Sequence, residues 1–210
     1  MTSKFDRKIL VVKRSVLFKE RFFEGFLPIK EHNFMPVILN NYEWLKRGLA
    51  EDDLDYKQII PYAIIVNPNK GVFVFRRASK QSDYSEKRLF DKYALGVGGH
   101  IEMEDVTNNK NVVEEAFLRE LNEEVFIKNF DYKIVGFVNL EERDVDKVHF
   151  GVVFLVKTSD SVSFKQGEMV WSDFLSLDIL LKKKQEFNFE GWSLALLEDK
   201  NFIDYCVNNL

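Results

Sequence analysis

The densest chemistry in the chain lies in Arg119-Glu120-Leu121-Asn122-Glu123-Glu124. On a helix, with about 100° between successive residues, Glu120, Glu123 and Glu124 share one face, because residues three and four apart are neighbours. Like charges at these spacings cost roughly 0.2–0.5 kcal/mol per pair, and more if partly desolvated, and no Lys stands among them to offset it. A divalent cation would relieve the repulsion: carboxylate oxygens are preferred ligands of Mg²⁺, which keeps several waters and shares its other sites with substrate phosphates. The plain alternative for the same six residues is a solvated acidic helix face. Phe117, Leu118, Leu121 and Val125 form an apolar stripe beside the carboxylates, with Glu115 and Asn122 on the far side. The patch therefore borders the buried face.

Upstream stands Gly98-Gly99-His100-Ile101-Glu102. Glycines after a strand permit close backbone approach to a ligand and leave carbonyls accessible, although a Gly-Gly pair alone is usually a turn. The ordered combination of strand, Gly-Gly-x-Ile-Glu, loop and Arg-Glu-Leu-x-Glu-Glu helix resembles the box of the Nudix hydrolases. That pattern runs Gly, five residues, Glu, seven residues, Arg-Glu-apolar-x-Glu-Glu-x-Gly-apolar. The match covers Gly99 to Ile127, and the order of elements from Tyr62 to Leu181 is compatible with the family's αβα sandwich built on a mixed sheet, here with an N-terminal extension.

The resemblance implies that Gly99 offers a backbone carbonyl to a metal ion, that Glu120, Glu123 and Glu124 are metal ligands, and that Arg119 pairs with and orients Glu120. It also implies a late glutamate, for which Glu168 in Gln166-Gly167-Glu168-Met169-Val170-Trp171 is the candidate; it would reach the metal or activate water. An ordinary surface glutamate is the competing reading there, and Glu141 and Glu142 are rivals. The sequence departs from the family at three places. The first acidic position falls on Asp105 in place of Glu, with Glu104 beside it as a substitute. The Arg that the pattern would put at 113 stands at 119, so the loop carries six extra residues, among them Thr107-Asn108-Asn109-Lys110. Finally, Phe126 stands where a helix-terminating glycine is usual, which predicts a helix that ends differently, nearer Asn129.

The elements that must position these residues are legible in part. Ile9–Phe18 reads as a strand, followed by aromatics at Phe22, Phe23 and Phe26, and Tyr42–Leu49 as a helix. Tyr62–Val66 and Val72–Arg76, separated by Asn67-Pro68-Asn69-Lys70-Gly71, read as a hairpin. Tyr93–Val97 is a further strand, Asn111–Phe126 the carboxylate helix, and Tyr132–Val138 and Val148–Val156 two more strands. Ser172–Lys184 and Trp192–Leu210 read as helical. Mixed strands and helices predict an α/β fold with helices on a mixed sheet. No linker or repeat divides the chain, so residues 1–56 are expected to be an extension packed on a core domain spanning 57–210.

The 210 residues are 46% hydrophobic and 30% charged, enough for a real core, and the net charge of −4 argues against a protein that lives on a nucleic-acid polymer. No apolar run approaches the roughly 20 residues of a membrane span, no signal peptide opens the chain, and a single cysteine, Cys206, forbids an internal disulfide. A cytoplasmic address with no membrane partner follows as the expectation, and a homodimer is compatible with it. His100 and His149 could contact phosphate, although a lone histidine is more often structural. Arg76, Arg77 and Lys80 could meet a substrate's phosphates or be solvated edge-strand charge, and Trp171 and Trp192 could stack on a base or pack the core.

Together these residues predict a Mg²⁺- or Mn²⁺-dependent hydrolase of a phosphoanhydride bond in a nucleoside diphosphate linked to another moiety, or in a similar organic pyrophosphate. A non-catalytic Nudix-like nucleotide-binding or regulatory module is the alternative. The isomerase chemistry that shares the family fold resembles a Cys-plus-Glu pair, and Cys206 lies far from the box. The extra loop residues are polar and turn-forming, so deleting Thr107–Lys110 is expected to lower stability by less than about 1 kcal/mol in urea unfolding. Loss of the native circular-dichroism spectrum on deletion would show that the motif is misaligned.

Overall fold

The computed structural model describes residues 4–77, 91–107, 110–165 and 169–210. In chain order the first elements are β1 (Lys8–Lys13), α1 (Arg14–Leu17), β2 (Gly25–Pro28), α2 (Met35–Asn41), β3 (Tyr42–Lys46), α3 (Arg47–Ala50), β4 (Tyr56–Asn67), β5 (Gly71–Arg77), β6 (Tyr93–Ala94) and β7 (Gly96–Val97). They are followed by α4 (Val112–Glu124), β8 (Val125–Phe126), β9 (Asp131–Asn139), α5 (Asp144–Val148), β10 (His149–Lys157), β11 (Ser163–Phe164), β12 (Met169–Leu175), α6 (Leu177–Lys183), α7 (Gly191–Glu198) and α8 (Lys200–Val207). This is the mixed α/β fold expected from the sequence. The chain divides into two compact units. No helix among the described residues is long and apolar enough to cross a membrane.

The first unit comprises Met1–Tyr62, Gly98–Glu120 and Gly136–Val153. Its β1 has four consecutive buried apolar residues between two exposed lysines, because it has neighbours on both edges. One edge pairs with β3, Lys8 opposite Lys46 through Val12 opposite Tyr42. The other pairs with β4 at Val11–Gln58, Val12–Lys57 and Lys13–Tyr56, and with the segment after Gly99, where Leu10 N–H donates to Ile101 O at 2.9 Å. The strand is shorter than expected. It stops at Lys13, and α1 begins where Arg14 N–H donates to Asp55 O at 2.7 Å.

The helix expected over Tyr42–Leu49 is a strand followed by the single turn α3. A short run with aromatics at Tyr42 and Trp44 fits either period, and here pairing with β1 decides it. The helix comes earlier, over Met35–Asn41, with Pro36 in its first turn. Aromatic rings then fill the unit: Phe34 lies 5.2 Å from Phe137 and 5.3 Å from Phe150, and Phe18 and Phe23 each lie 5.9 Å from Phe150. Strand β2 pairs with β9 from Gly25–Asn139 to Pro28–Gly136, so closely that a Cβ on Gly136 would lie 2.3 Å from Leu27 O.

Lys57 is fully buried within this unit. Its ammonium donates to Asp146 O at 3.0 Å and His149 O at 3.2 Å and pairs with Glu141 at 2.9 Å. Glu141 in turn meets Arg14 at 3.0 Å and accepts from Asn139 Nδ2 at 3.1 Å. Burial pushes the Lys57 ammonium down to about 8 against the pull of Glu141. Burial works against the charge on Glu141 as well, but hydrogen bonds from Arg14 and Lys57 outweigh it and hold the carboxyl below its ordinary value.

The second unit comprises Ala63–Val97, Leu121–Val135 and Phe154–Leu210. The expected hairpin is present, with Val66 opposite Val72 and Asn67 opposite Gly71, and Asn67 Oδ1 accepts from Asn69 N–H at 3.0 Å inside the turn. Gly71 has φ +109 and sits where a Cβ would meet Leu175 O at 2.1 Å. The expected helix over Ser172–Lys184 splits: Ser172–Leu175 belong to β12, which pairs with β5 from Trp171–Arg76 to Leu175–Val72, and Ser176 caps α6 by accepting from Ile179 N–H at 3.3 Å. Helices α7 and α8 match the expected helical C-terminal segment, capped by Glu190 and Asp199.

Helix α4 also ends differently from the expectation, at Glu124 rather than near Asn129. Val125 and Phe126 pass into β8 and pair with Phe164 and Ser163. Lys165 takes over the capping that a glycine would give: its backbone N–H donates to Glu124 O at 2.9 Å and its ammonium to Asn122 O.

Because Glu141 has a folded-state pKa below its unfolded value, the stability it contributes is present above about pH 4.5 and is lost as pH falls through the lower folded value. Glu141→Gln is expected to flatten that acid limb in urea unfolding followed against pH. Lys57→Ala leaves Glu141 facing a buried gap and is expected to cost about 3–5 kcal/mol at pH 7 in the same assay.

Candidate functional site

Gly99 and the residues around it assemble on Arg119. The guanidinium pairs with Asp105 through Nε to Oδ1 at 2.6 Å and Nη2 to Oδ2 at 2.9 Å, donates from Nη2 to His100 O at 2.9 Å, and from Nη1 to Glu120 Oε1 at 2.7 Å. Burial opposes the charge on Arg119, but the hydrogen bond to Asp105 and the field of Glu120 outweigh it and hold the guanidinium above its ordinary pKa. Arg119 and Glu120 are thus joined by a hydrogen bond. At Gly99, a Cβ would lie 2.5 Å from Glu120 Oε1, so glycine leaves the room in which this carboxylate rests while bound to Arg119.

Asp105 is buried, at 4% exposure, while Glu104 is exposed. The aspartate, not its neighbour, fills the acidic position. It sits in a single 3₁₀ turn, Met103–Asp105, where Glu102 N–H donates to Asp105 Oδ2 at 2.8 Å and Asp105 N–H returns to Glu102 O at 3.1 Å. Glu102 is braced by Arg7 at 2.9 Å. Thr107 and Lys110 are exposed, as expected of the extra loop, and Asn108 and Asn109 lie outside the described residues.

Helix α4 starts where Asn111 Oδ1 accepts from Glu114 N–H at 3.1 Å, and it buries Val112, Val113, Ala116, Phe117 and Leu121. Glu120 and Glu124 are half-buried and Glu123 is exposed, all on the end of the one helix. Among the described residues no three His, Cys, Asp or Glu side chains stand ready as a metal cluster. The donor chemistry nevertheless fits a hard cation: a backbone carbonyl at Gly99, with the Glu120 carboxylate in the cradle that a Cβ would fill, supplies oxygen alone, the set that Mg²⁺ and Mn²⁺ accept.

Glu168 and Lys80 lie outside the described residues. Glu141, a rival for the late glutamate, is committed to Lys57 and Arg14; Glu142 is exposed. Arg76 faces Asp91 at 3.7 Å and the Tyr93 ring at 6.0 Å, and Arg77 lies over Phe75 at 5.3 Å. Trp192 is buried; Trp171 is partly exposed and edge-on to Tyr93 at 5.8 Å. Cys206 is buried in α8, and burial pushes its thiol up to about 12, the reverse of an activated nucleophile.

Sequence reasoning missed Gln58. Its amide lies fully buried between Ala50 O, to which Nε2 donates at 3.0 Å, and the His100 ring, whose Nε2 is 2.7 Å from Oε1. His149 is edge-on to His100 at 5.5 Å and donates from Nδ1 to Val145 O at 2.6 Å. Burial lowers the pKa of both rings, with Arg47 adding to the effect at His100. Both rings are committed to partners inside the protein, His100 to Gln58 and His149 to the Val145 carbonyl. A Gln amid an apolar run is the only trace of this in the sequence.

No family model matches the chain. Over 205 residues it is 30% identical to Protein YmaB of Bacillus subtilis (strain 168), an alignment covering 93% of this chain and 98% of that protein. Among solved structures, Tm1382, described as a candidate Nudix hydrolase, is 27% identical with a TM-score of 0.75, covering 90% of this chain and 96% of that one. DR0079 from Deinococcus radiodurans shares the fold at 16% identity and a TM-score of 0.51, over 71% of this chain and 82% of that one. The Nudix domain of Shewanella oneidensis NrtR, solved with ADP ribose, does so at 14% identity and 0.50, over 68% and 84%.

Replacing Asp105 by Asn removes the charge that holds Arg119 and leaves a buried mismatch. Urea unfolding is expected to show a loss of about 1–3 kcal/mol. Glu104→Gln, on the exposed neighbour, should stay within about 0.5 kcal/mol. Equal effects would mean that the two acids share the role.

Proposed function

The chain belongs to the Nudix hydrolase family, and from that premise we propose that it cleaves a phosphoanhydride bond in a nucleoside diphosphate linked to another moiety, or in a similar organic pyrophosphate, with the help of Mg²⁺ or Mn²⁺. The single observation that carries this reading is Arg119 fastening Glu120 into the glycine cradle at Gly99, on the helix that also carries Glu123 and Glu124. The Gly99 carbonyl, Glu120, Glu123 and Glu124 would hold the cation. When bound, it supplies neutralisation of the bridging phosphate oxygens and a more acidic water.

The protein's own groups do the rest. Arg119 turns Glu120 by a hydrogen bond to Oε1, so that the second carboxylate oxygen keeps a fixed direction. A glutamate carboxylate, Glu168 or one on α4, takes the proton from the attacking water as its oxygen adds to phosphorus and the phosphoanhydride oxygen leaves. A partner beyond the small substrate is not required by this chemistry, and a cytoplasmic location suits it.

Glu124→Gln keeps size and hydrogen bonding but removes a negative charge from the proposed cation site. Turnover of nucleoside diphosphate compounds at saturating Mn²⁺ is expected to fall about 10²–10⁴-fold, while the fold survives. Glu115→Gln, whose amide oxygen still accepts from Thr107 Oγ1, should keep activity within about twofold. Mass identification of both products names the broken bond. Equal activity in the two variants would reduce the patch to a solvated helix face, and absence of turnover across the panel would leave a binding module.

A further inference from the structure

Gly99 carries a contradiction. A Cβ there would lie 2.5 Å from Glu120 Oε1, so a larger residue would push the carboxylate out of its bond with Arg119. Glycine is also the residue least able to fix its own backbone, so the direction of its carbonyl has to be imposed by its neighbours. The peptide plane that holds this carbonyl ends at His100, and His100 is clamped twice. Its own carbonyl accepts from Arg119 Nη2 at 2.9 Å, and its ring meets Gln58 Oε1 at 2.7 Å. Because Gln58 Nε2 donates to Ala50 O, the amide turns its oxygen to the ring, and His100 donates from Nε2.

Gln58 is fully buried on a strand whose other residues over this stretch are almost all apolar. A primary amide there costs free energy unless both ends are satisfied, and an apolar side chain would not incur that cost. Both ends are satisfied, one on α3 and one on the residue next to Gly99. Resting on the metal-site reading above, we propose that Gln58 is a positioning residue: its amide fixes His100 and so aims the Gly99 carbonyl at the cation.

Mn²⁺ binding to purified full-length protein, read by electron paramagnetic resonance without substrate, tests this. Gln58→Leu is expected to weaken Mn²⁺ binding roughly 10–100-fold, the range for loss of an outer partner of a metal ligand. At saturating Mn²⁺ its KM for substrate should change less than about twofold. His100→Phe removes the same hydrogen bond from the other side and should weaken Mn²⁺ by a similar factor; it carries the test if circular dichroism shows that Gln58→Leu does not fold. The double variant should bind no worse than the weaker single one, since both delete one interaction. Wild-type affinity in the single variants, or losses that multiply in the double, overturns the inference while leaving the metal site standing. If the wild-type protein shows no saturable Mn²⁺ binding that Glu120→Gln abolishes, the metal-site reading itself falls, and this one with it.

Discussion

One guanidinium organises the whole region around Gly99. Arg119 reaches a buried aspartate, a backbone carbonyl and a glutamate at once, from the third turn of α4. Hydrogen bonds to charged partners are worth about 1.5–3 kcal/mol each, against about 1 for neutral ones. Arg supplies them in a rigid fork that Lys cannot copy. The loop from Gly98 to Asp105 has one short 3₁₀ turn and little apolar surface of its own. Its shape follows from what Arg119 holds on one side and from β1, whose Leu10 N–H and Ile9 backbone meet Ile101 and Glu102, on the other.

The segment before Lys57 is accordingly more than a covering. It supplies β1, the strand against which the post-glycine segment lies, and Arg7, which braces Glu102. It also supplies Phe18, Phe23 and Phe34, three of the rings packed around Phe150. Within it, an apolar cluster of Ile9, Val11 and Ala50 ties β1 to α3, whose Ala50 O accepts from Gln58.

What the sequence makes legible here is whatever depends on spacing along one element. Glu120, Glu123 and Glu124 could be placed on α4 because three and four residues return to the same side of a helix. The hairpin at Asn67–Gly71 could be placed because Pro, Asn and Gly each have a local reason to turn. The strand identity of Tyr42–Lys46 and Ser172–Leu175 was not legible, since each depends on a partner strand remote in sequence, β1 and β5. The role of Asp105 was hidden for a similar reason: its partner lies fourteen positions on, across the extra loop. The roles of Lys57 and Gln58 left little more than a polar pair beside an apolar run, because a buried polar side chain is recognised by the groups that satisfy it.

The early end of α4 gives the carboxylates a second electrostatic setting. A helix that ran on to Asn129 would place Glu123 and Glu124 mid-helix, where the aligned peptide dipoles cancel along the axis. Ending at Glu124, it sets both at the C-terminal pole, which carries about half a negative charge of its own. Lys165 answers part of that charge through Asn122 O and Glu124 O. The remainder has the same sign as the glutamates, so the potential at this pole reaches beyond contact distance. Such a long-range potential is screened within about 10 Å at 0.1 M salt. The field at this end of the helix is therefore a function of ionic strength, whereas the fastening of Glu120 by Arg119 is a short contact that salt leaves largely intact.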